Sequence, residues 1–188
     1  FFPSPFSDAA ILTIDSVGEW VTATIGHGQG SDLSILRELT FPNSIGLFYA
    51  AFTEYTGFGA SGGENKMMRL AASGQPSYYD RLRSEVICIL DDGSVEISED
   101  YLRVESSGQI ATRKLVNLLG RGPRDPDSPV RNFDRDLAAS VQRLVEDAVL
   151  AMARFAWSLT GSKNLCLAGG VALNCVANGR LRREGDFR

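Results

Sequence analysis

Histidine is almost missing from this chain. His27 is the single one in 188 residues, so a site built from several imidazoles cannot come from this stretch alone. Cysteine is scarce as well. Cys88, Cys166 and Cys175 are odd in number and have mostly apolar neighbours. That pattern predicts buried free thiols rather than a disulfide frame, and favours a reducing, cytoplasmic setting. Positive charge is not in excess: 19 Lys and Arg against 23 Asp and Glu give a net charge of −4. This balance argues against a nucleic-acid-binding surface. No apolar run approaches the roughly 20 residues that span a bilayer, which argues against a membrane protein. No signal peptide is visible. The chain begins at Phe1 without a Met, so it is expected to be incomplete at its N-terminus. Internal repeats and low-complexity tracts are also missing. What remains is an ordinary globular composition, 44% hydrophobic and 22% charged, in a chain long enough for one domain with a sizeable core.

The apolar run Ala9 to Ile14 is broken only by Thr13 and reads as a buried strand that stops at Asp15. Ser16-Val17-Gly18-Glu19 is a short turn, and Trp20 to Ile25 is the returning strand of a hairpin. Gly26 to Gly30 reads as a loop, with His27 facing solvent. Ile45, Phe48, Tyr49, Phe52 and Tyr55 recur at helical spacing, with Asn43 or Ser44 able to cap the start and Gly57 the end. Gly59 to Gly63 is a flexible connector, followed by a shorter helix over Glu64 to Ala71. Val86 to Leu90 and Val95 to Ile97 flank Asp91-Asp92-Gly93, a hairpin signal. Residues 120 to 131, GRGPRDPDSPVR, read as an irregular surface loop whose arginines are balanced by Asp125 and Asp127. Leu137, Val141, Leu144, Val145, Ala148, Met152, Phe155 and Leu159 mark one long helix, closed by Gly161. The chain then reads strand (Leu165 to Leu167), glycine turn (Gly169-Gly170) and helix (Val171 to about Arg183). The sum is a mixed α/β fold.

Three places can carry chemistry. Asp15 sits at the end of a buried strand, where α/β sheets bind ligands, and the Ser16-Val17-Gly18 turn beside it can offer backbone N–H groups to an anion. A carboxylate there suits a divalent metal or simply caps the hairpin turn. Gly169-Gly170 lets a phosphate approach a helix N-terminus, with Asn174 about one turn into that helix, or is a tight turn with no ligand. Glu64 and Lys66 open a helix two residues apart, so they do not face each other. Either reaches a polar ligand or is merely solvated. Ser44 is an N-cap.

Five blocks, taken in order, resemble one family: Phe1-Phe2-Pro3-Ser4-Pro5-Phe6, AAILTIDSVGEW, FPNSIGLFYAAFTEYTGF, GENKMMRLAASG and LCLAGGVALNCVANGRL. They are similar to successive motifs of the nodulation-protein-U and antibiotic O-carbamoyltransferases, over nearly the whole chain. The resemblance implies a fragment of an actin-like, ribonuclease-H-like domain, incomplete at both ends and similar to the tRNA threonylcarbamoyl-transfer enzymes. It implies two stages: carbamoyl phosphate and ATP give carbamoyl-adenylate, and the carbamoyl group passes to a hydroxyl of a small-molecule acceptor. It further implies iron or another divalent metal, with Asp15 as a ligand. Ser16, Val17 and Gly18 would line the adenylate; Gly169, Gly170 and Asn174 would lie along the nucleotide; Ser44, Glu64 and Lys66 would sit near nucleotide or acceptor. The family's histidine pair is expected upstream of Phe1, and a further Gly-Asp-Ala-Gly-Gly block after Arg188. Ser16, Arg69 and Ala72 depart from the family pattern. The fragment alone is expected to be inactive. Two other readings stay open: a small-molecule kinase of the same superfamily, and a non-catalytic binding or assembly module.

Overall fold

The computed structural model describes residues 1–59, 62–105 and 108–187. Two of the residues in the expected connector, 60 and 61, lie outside the described ones. The fold is mixed α/β, and the chain divides into two compact units.

The first unit holds residues 1–46, 89–95 and 146–188. Its sheet is built from β1 (Asp8–Ile14), β2 (Val21–Gln29), β3 (Asp32–Thr40) and a short strand late in the chain, Leu165–Ala168. The spatial order runs β3, β2, β1 and then that late strand. β1 is antiparallel to β2, with Ile14 opposite Ala23, and parallel to the late strand, with Thr13 opposite Ala168. β1 is therefore an inner strand. Ala9, Ala10, Ile11, Leu12 and Ile14 are all buried, which is why its apolar run is continuous rather than alternating. Each such Leu or Ile contributes roughly 1.5–3 kcal/mol on burial.

The hairpin expected around Asp15 is present, but its second strand runs four residues beyond Ile25, to Gln29. The expected loop over 26–30 is corrected accordingly. Gly26 and Gly28 mark close approach rather than a turn. A Cβ on Gly26 would lie 2.9 Å from Ser34 O, and one on Gly28 would lie 2.6 Å from the Phe1 ring. The turn is confined to Gly30, at φ +60°, and Ser31, and feeds β3, an edge strand that the sequence reading missed. His27 accordingly lies in β2, half-buried, with Nε2 2.8 Å from Asp8 Oδ1, rather than in a solvent-facing loop.

The second unit holds residues 47–88 and 96–145. Helix α1 (Ile45–Tyr55) starts in the first unit and continues here, where Phe48, Phe52 and Tyr55 are buried and the first two rings stand 5.0 Å apart. Gly57 ends it at φ +75°, as expected. Helices α2 (Glu64–Ala71) and α3 (Tyr79–Glu85) follow, with Met67 and Leu82 buried. β4 (Ile87–Ile89) pairs with β5 (Val95–Ile97), the hairpin signalled by Asp91-Asp92-Gly93. A second hairpin joins β6 (Leu102–Glu105) to β7 (Gly108–Ala111), with Leu102 opposite Ala111. Thr112 caps α4 (Arg113–Leu119) by accepting from the Leu115 N–H, and Gly120 ends it at φ +72°.

Residues 120–131 are irregular, as expected, but they are not a balanced surface. Arg124 is buried. Its guanidinium donates to the carbonyls of Thr56, Gly57, Asp125, Pro126 and Ser128 and lies over the Phe58 ring. Three of these carbonyls belong to the irregular segment, which has no ladder to pair them, and two to the end of α1, so one side chain ties the two together.

Helix α5 (Asn132–Thr160) has 29 residues, about 43 Å at 1.5 Å each. Leu137, Val141 and Leu144 are buried in the second unit, and Ala148, Met152, Ala153 and Ala156 in the first. Gly161, at φ +63°, closes it. The late strand is β8 (Leu165–Ala168). A 3-10 turn (Gly170–Leu173) and α6 (Cys175–Glu184) complete the chain's elements. The thiols are not buried as expected: Cys88 and Cys175 are exposed and Cys166 is intermediate. Among the described residues, no helix is long and apolar enough to cross a membrane.

Candidate functional site

β1 and β8 run parallel and side by side, so their C-terminal ends fall together. The residues that follow those ends are Asp15 and Gly169. Parallel neighbours pass into different connections there, and such strand ends are where α/β sheets hold ligands.

Asp15 and its turn are exposed, as a ligand-facing loop requires. The hairpin is closed behind them by the Asp15 N–H to Thr22 O at 2.9 Å. Two of the three N–H groups expected to await an anion are engaged internally. That of Ser16 donates to Asp15 Oδ1 at 2.8 Å, and that of Gly18 to Val21 O at 3.0 Å. Only Val17 N–H has no hydrogen bond among the described residues. The turn is therefore held rigid by its own donors and is a poorer anion nest than its sequence suggested. One carboxylate oxygen of Asp15 thus caps the turn, as the plainer reading expected, and Oδ2 accepts no hydrogen bond among the described residues.

A third segment joins from the start of α1. Ser44 is fully buried, and its hydroxyl donates to the carbonyls of both Asp15 (3.2 Å) and Ser16. The residue just ahead of α1 thus braces the Asp15 loop. Gly46 makes that approach possible, because a Cβ there would lie 2.6 Å from Asp15 O and 2.7 Å from Ser16 N. Gly46 was missed in the sequence. The available signal was a glycine in the first turn of an otherwise strongly apolar helix, a placement that costs about 1 kcal/mol relative to alanine and needs a reason.

Gly169 adopts φ +91°, and a Cβ on it would lie 2.2 Å from Ile14 O. A Cβ on Gly170 would lie 3.2 Å from Asp15 Oδ1. The glycine pair therefore lies against the end of β1, within reach of the carboxylate. Asn174 is not one turn inside a helix, because the 3-10 turn intervenes. It is the N-cap of α6, and its Oδ1 accepts from the Ala177 N–H at 3.0 Å. Gly169, Gly170, Asp15, Ser16, Val17, Gly18 and Ser44 all belong to the first unit. Glu64 and Lys66 belong to the second, where Glu64 is half-buried and Lys66 exposed in the first turn of α2.

A divalent metal does not fit these residues by themselves. Among the described residues no three His, Cys, Asp or Glu side chains are placed so as to hold a metal ion, so Asp15 offers one hard oxygen where such ions need several ligands.

The family described as carbamoyltransferase N-terminus matches residues 1–188. An uncharacterized protein, sll1178, of Synechocystis sp. is 45% identical over 188 residues, covering 100% of this chain and 31% of that protein. The nodulation protein NolNO of Sinorhizobium fredii is 32% identical over 188 residues, 100% of this chain and 26% of that protein. The nodulation protein NolO of Bradyrhizobium diazoefficiens is 33% identical over 187 residues, 100% of this chain and 32% of that protein. The chain spans about a third or less of the length of these relatives.

Proposed function

This chain belongs to the carbamoyltransferase N-terminus family, and from that premise we propose that it forms the adenylate-binding part of an ATP-dependent O-carbamoyltransferase. Within the longer protein, carbamoyl phosphate, water and ATP give carbamoyl-adenylate, with inorganic phosphate and pyrophosphate as the leaving groups. A hydroxyl of a small-molecule acceptor then attacks the carbamoyl carbon, the bond to the adenylate phosphate breaks, and AMP leaves. The domain is of the actin-like, ribonuclease-H-like type. An antiparallel β3-β2-β1 meander extended by a parallel β8 supports that assignment.

The observation that carries the reading is the convergence of three segments far apart in sequence. Asp15-Ser16, Ser44-Gly46 and Gly169-Gly170 meet at the C-terminal ends of β1 and β8. Two adjacent glycines without side chains, ahead of a capped helix, leave room for phosphate oxygens beside the backbone. Asp15 is braced by Ser44 so that its carboxylate direction is fixed before any ligand arrives, and such preorganisation lowers the cost of binding and transfer. In the full-length protein Asp15 would supply one hard oxygen ligand to a divalent metal, which would polarise phosphate oxygens. Glu64 and Lys66 act toward nucleotide or acceptor.

The test is product analysis on the full-length protein. Incubation with ATP, carbamoyl phosphate and a panel of sugar and aminoglycoside alcohols is expected to release AMP only when carbamoyl phosphate is present, with a carbamate ester on one acceptor. ADP release with a phosphorylated acceptor would instead establish the kinase reading. No turnover and no nucleotide binding would leave a binding or assembly module.

A further inference from the structure

α6 has little apolar surface with which to hold its place. It is ten residues long, and Ala177 and Leu181 are its only buried apolar side chains. A helix this short is marginal without tertiary support. The third buried side chain is a charged one, Arg180, at 8% exposure. Its guanidinium lies 2.5 Å from Asp147 Oδ1 and 3.7 Å from Glu146 Oε2, both on α5, and 3.1 Å from Glu184 Oε2 one turn along α6. One cation therefore fastens α6 to the part of α5 that belongs to the same unit.

The opposite end of α6 is tied to the glycine turn. Asn174 caps the helix, and the Asn178 Nδ2–H donates to Ala172 O inside the 3-10 turn at 2.7 Å. A rotation of α6 about its axis thus drags the turn that follows Gly169. That turn has no slack: Gly169 sits against Ile14 O with no space for even a methyl group. We infer that Arg180 is a positioning residue for the phosphate-facing Gly169–Gly170 turn, acting through α6 from its ion cluster with Glu146, Asp147 and Glu184.

The guanidinium is suited to this because it is planar and presents several donors in a fixed fork. Nε and Nη1 point to different carboxylates, Glu184 and Asp147, so they set the rotation of α6 as well as its distance from α5. A lysine keeps the charge but has one nitrogen and no fork. Arg180→Lys therefore separates charge balance from orientation.

This inference rests on the nucleotide reading of the glycine turn, and the experiment keeps the two apart. Binding of the non-hydrolysable analogue AMP-PNP is measured calorimetrically in the full-length protein, well below the melting temperature. Three variants are compared: Arg180→Lys, the double variant Arg180→Met with Asp147→Asn, and Gly170→Val. Arg180→Lys and the double variant are expected to bind AMP-PNP roughly tenfold more weakly while remaining folded. Amide hydrogen exchange should rise over residues 169–178, and KM for the acceptor should stay within about twofold. A residue with a purely structural role would lower the melting temperature and leave the affinity of the folded protein unchanged, and that result overturns the inference. The double variant removes a buried charge together with its partner, so a folded protein carries the test even if Arg180→Met alone does not fold. Gly170→Val fills the cradle without touching the clamp. Unaltered AMP-PNP binding in Gly170→Val overturns the nucleotide reading itself, whereas loss in Gly170→Val with none in the Arg180 variants overturns only the role of Arg180.

Discussion

Gly169 has its missing Cβ aimed at the carbonyl of Ile14, 2.2 Å from the oxygen. No side chain fits there, and φ +91° is a conformation that residues with a Cβ rarely adopt. The two constraints add. Gly169→Ala is expected to destabilise the protein by about 2–4 kcal/mol, in line with other losses from steric strain at special backbone positions. Gly170→Ala, whose Cβ would meet only the tip of Asp15 at 3.2 Å, should cost well under half as much. Urea unfolding of the two variants side by side checks the ratio. Equal stability of both would show that β8 and β1 are not held together as closely as described.

Tyr55 sets a limit at high pH. Burial pushes its phenol from 10.0 up to about 12, against the opposing charge of Arg121. Its hydroxyl donates to Arg121 O, a contact that ionisation abolishes. The folded pKa is raised above the unfolded one. The associated stability is therefore fully present below pH 10 and is lost as pH rises from about 10 to about 12. At about 1.4 kcal/mol per pH unit across that window this amounts to about 3 kcal/mol. Tyr55→Phe should flatten the fall in melting temperature across that window. A persisting fall of the same size would place the alkaline sensitivity elsewhere.

Arg124 holds five backbone carbonyls with one guanidinium. Arg124→Met keeps most of the side-chain volume and removes every donor. Unsatisfied buried carbonyls cost about 1–3 kcal/mol each, and water will rescue some of them. A net loss of about 3 kcal/mol or more is expected, with increased proteolysis within residues 120–131. Arg124→Lys should recover only part of it, because an ammonium has three donors for five acceptors. Full stability of Arg124→Met would mean that the loop is organised by its prolines alone.

The legibility of this fold varies with the range of the interaction involved. The apolar run into Asp15, the stripe from Leu137 to Met152 and the caps at Gly57 and Gly161 are local patterns, and the structure follows them, although the stripe's end is not core, with Phe155 half-buried and Leu159 exposed. β3 was invisible because Asp32 to Thr40 is an edge strand exposed on both faces, so neither face demanded apolar residues. Gly26 and Gly28 imitated a loop because a glycine needed for close packing and one needed for a turn look alike in sequence. His27 and Arg124 were misplaced for the converse reason, since polar side chains are buried only where distant partners await them. At the candidate site, Asp15 and the glycine pair carried their own signals. Gly46 and Arg180 acquire meaning only when β1, α1, α5 and α6 are brought together.

Asp15 joins the plain and the chemical readings of the site in one side chain, and Asp15→Asn separates them. Asparagine is nearly isosteric. Its Oδ1 can still accept from the Ser16 N–H, now 2.8 Å from the aspartate oxygen, so the hairpin turn should survive. The brace from Ser44 is to backbone carbonyls and is untouched by the change. The melting temperature is therefore expected to move by no more than a degree or two. What asparagine removes is the negative charge and the second carboxylate oxygen, which makes it a poor ligand for a hard divalent cation. In the full-length protein the variant should lose metal affinity and carbamoyl transfer together. Loss of one ligand costs several kcal/mol, and each 1.4 kcal/mol is about tenfold, so a fall of roughly a hundredfold or more is expected. Metal content by elemental analysis, transfer by product assay and thermal melting are to be read on the same preparation. A variant that melts normally with its metal and turnover intact would reduce Asp15 to the cap of a β-turn, and the proposed site at the ends of β1 and β8 would then lose its charged centre.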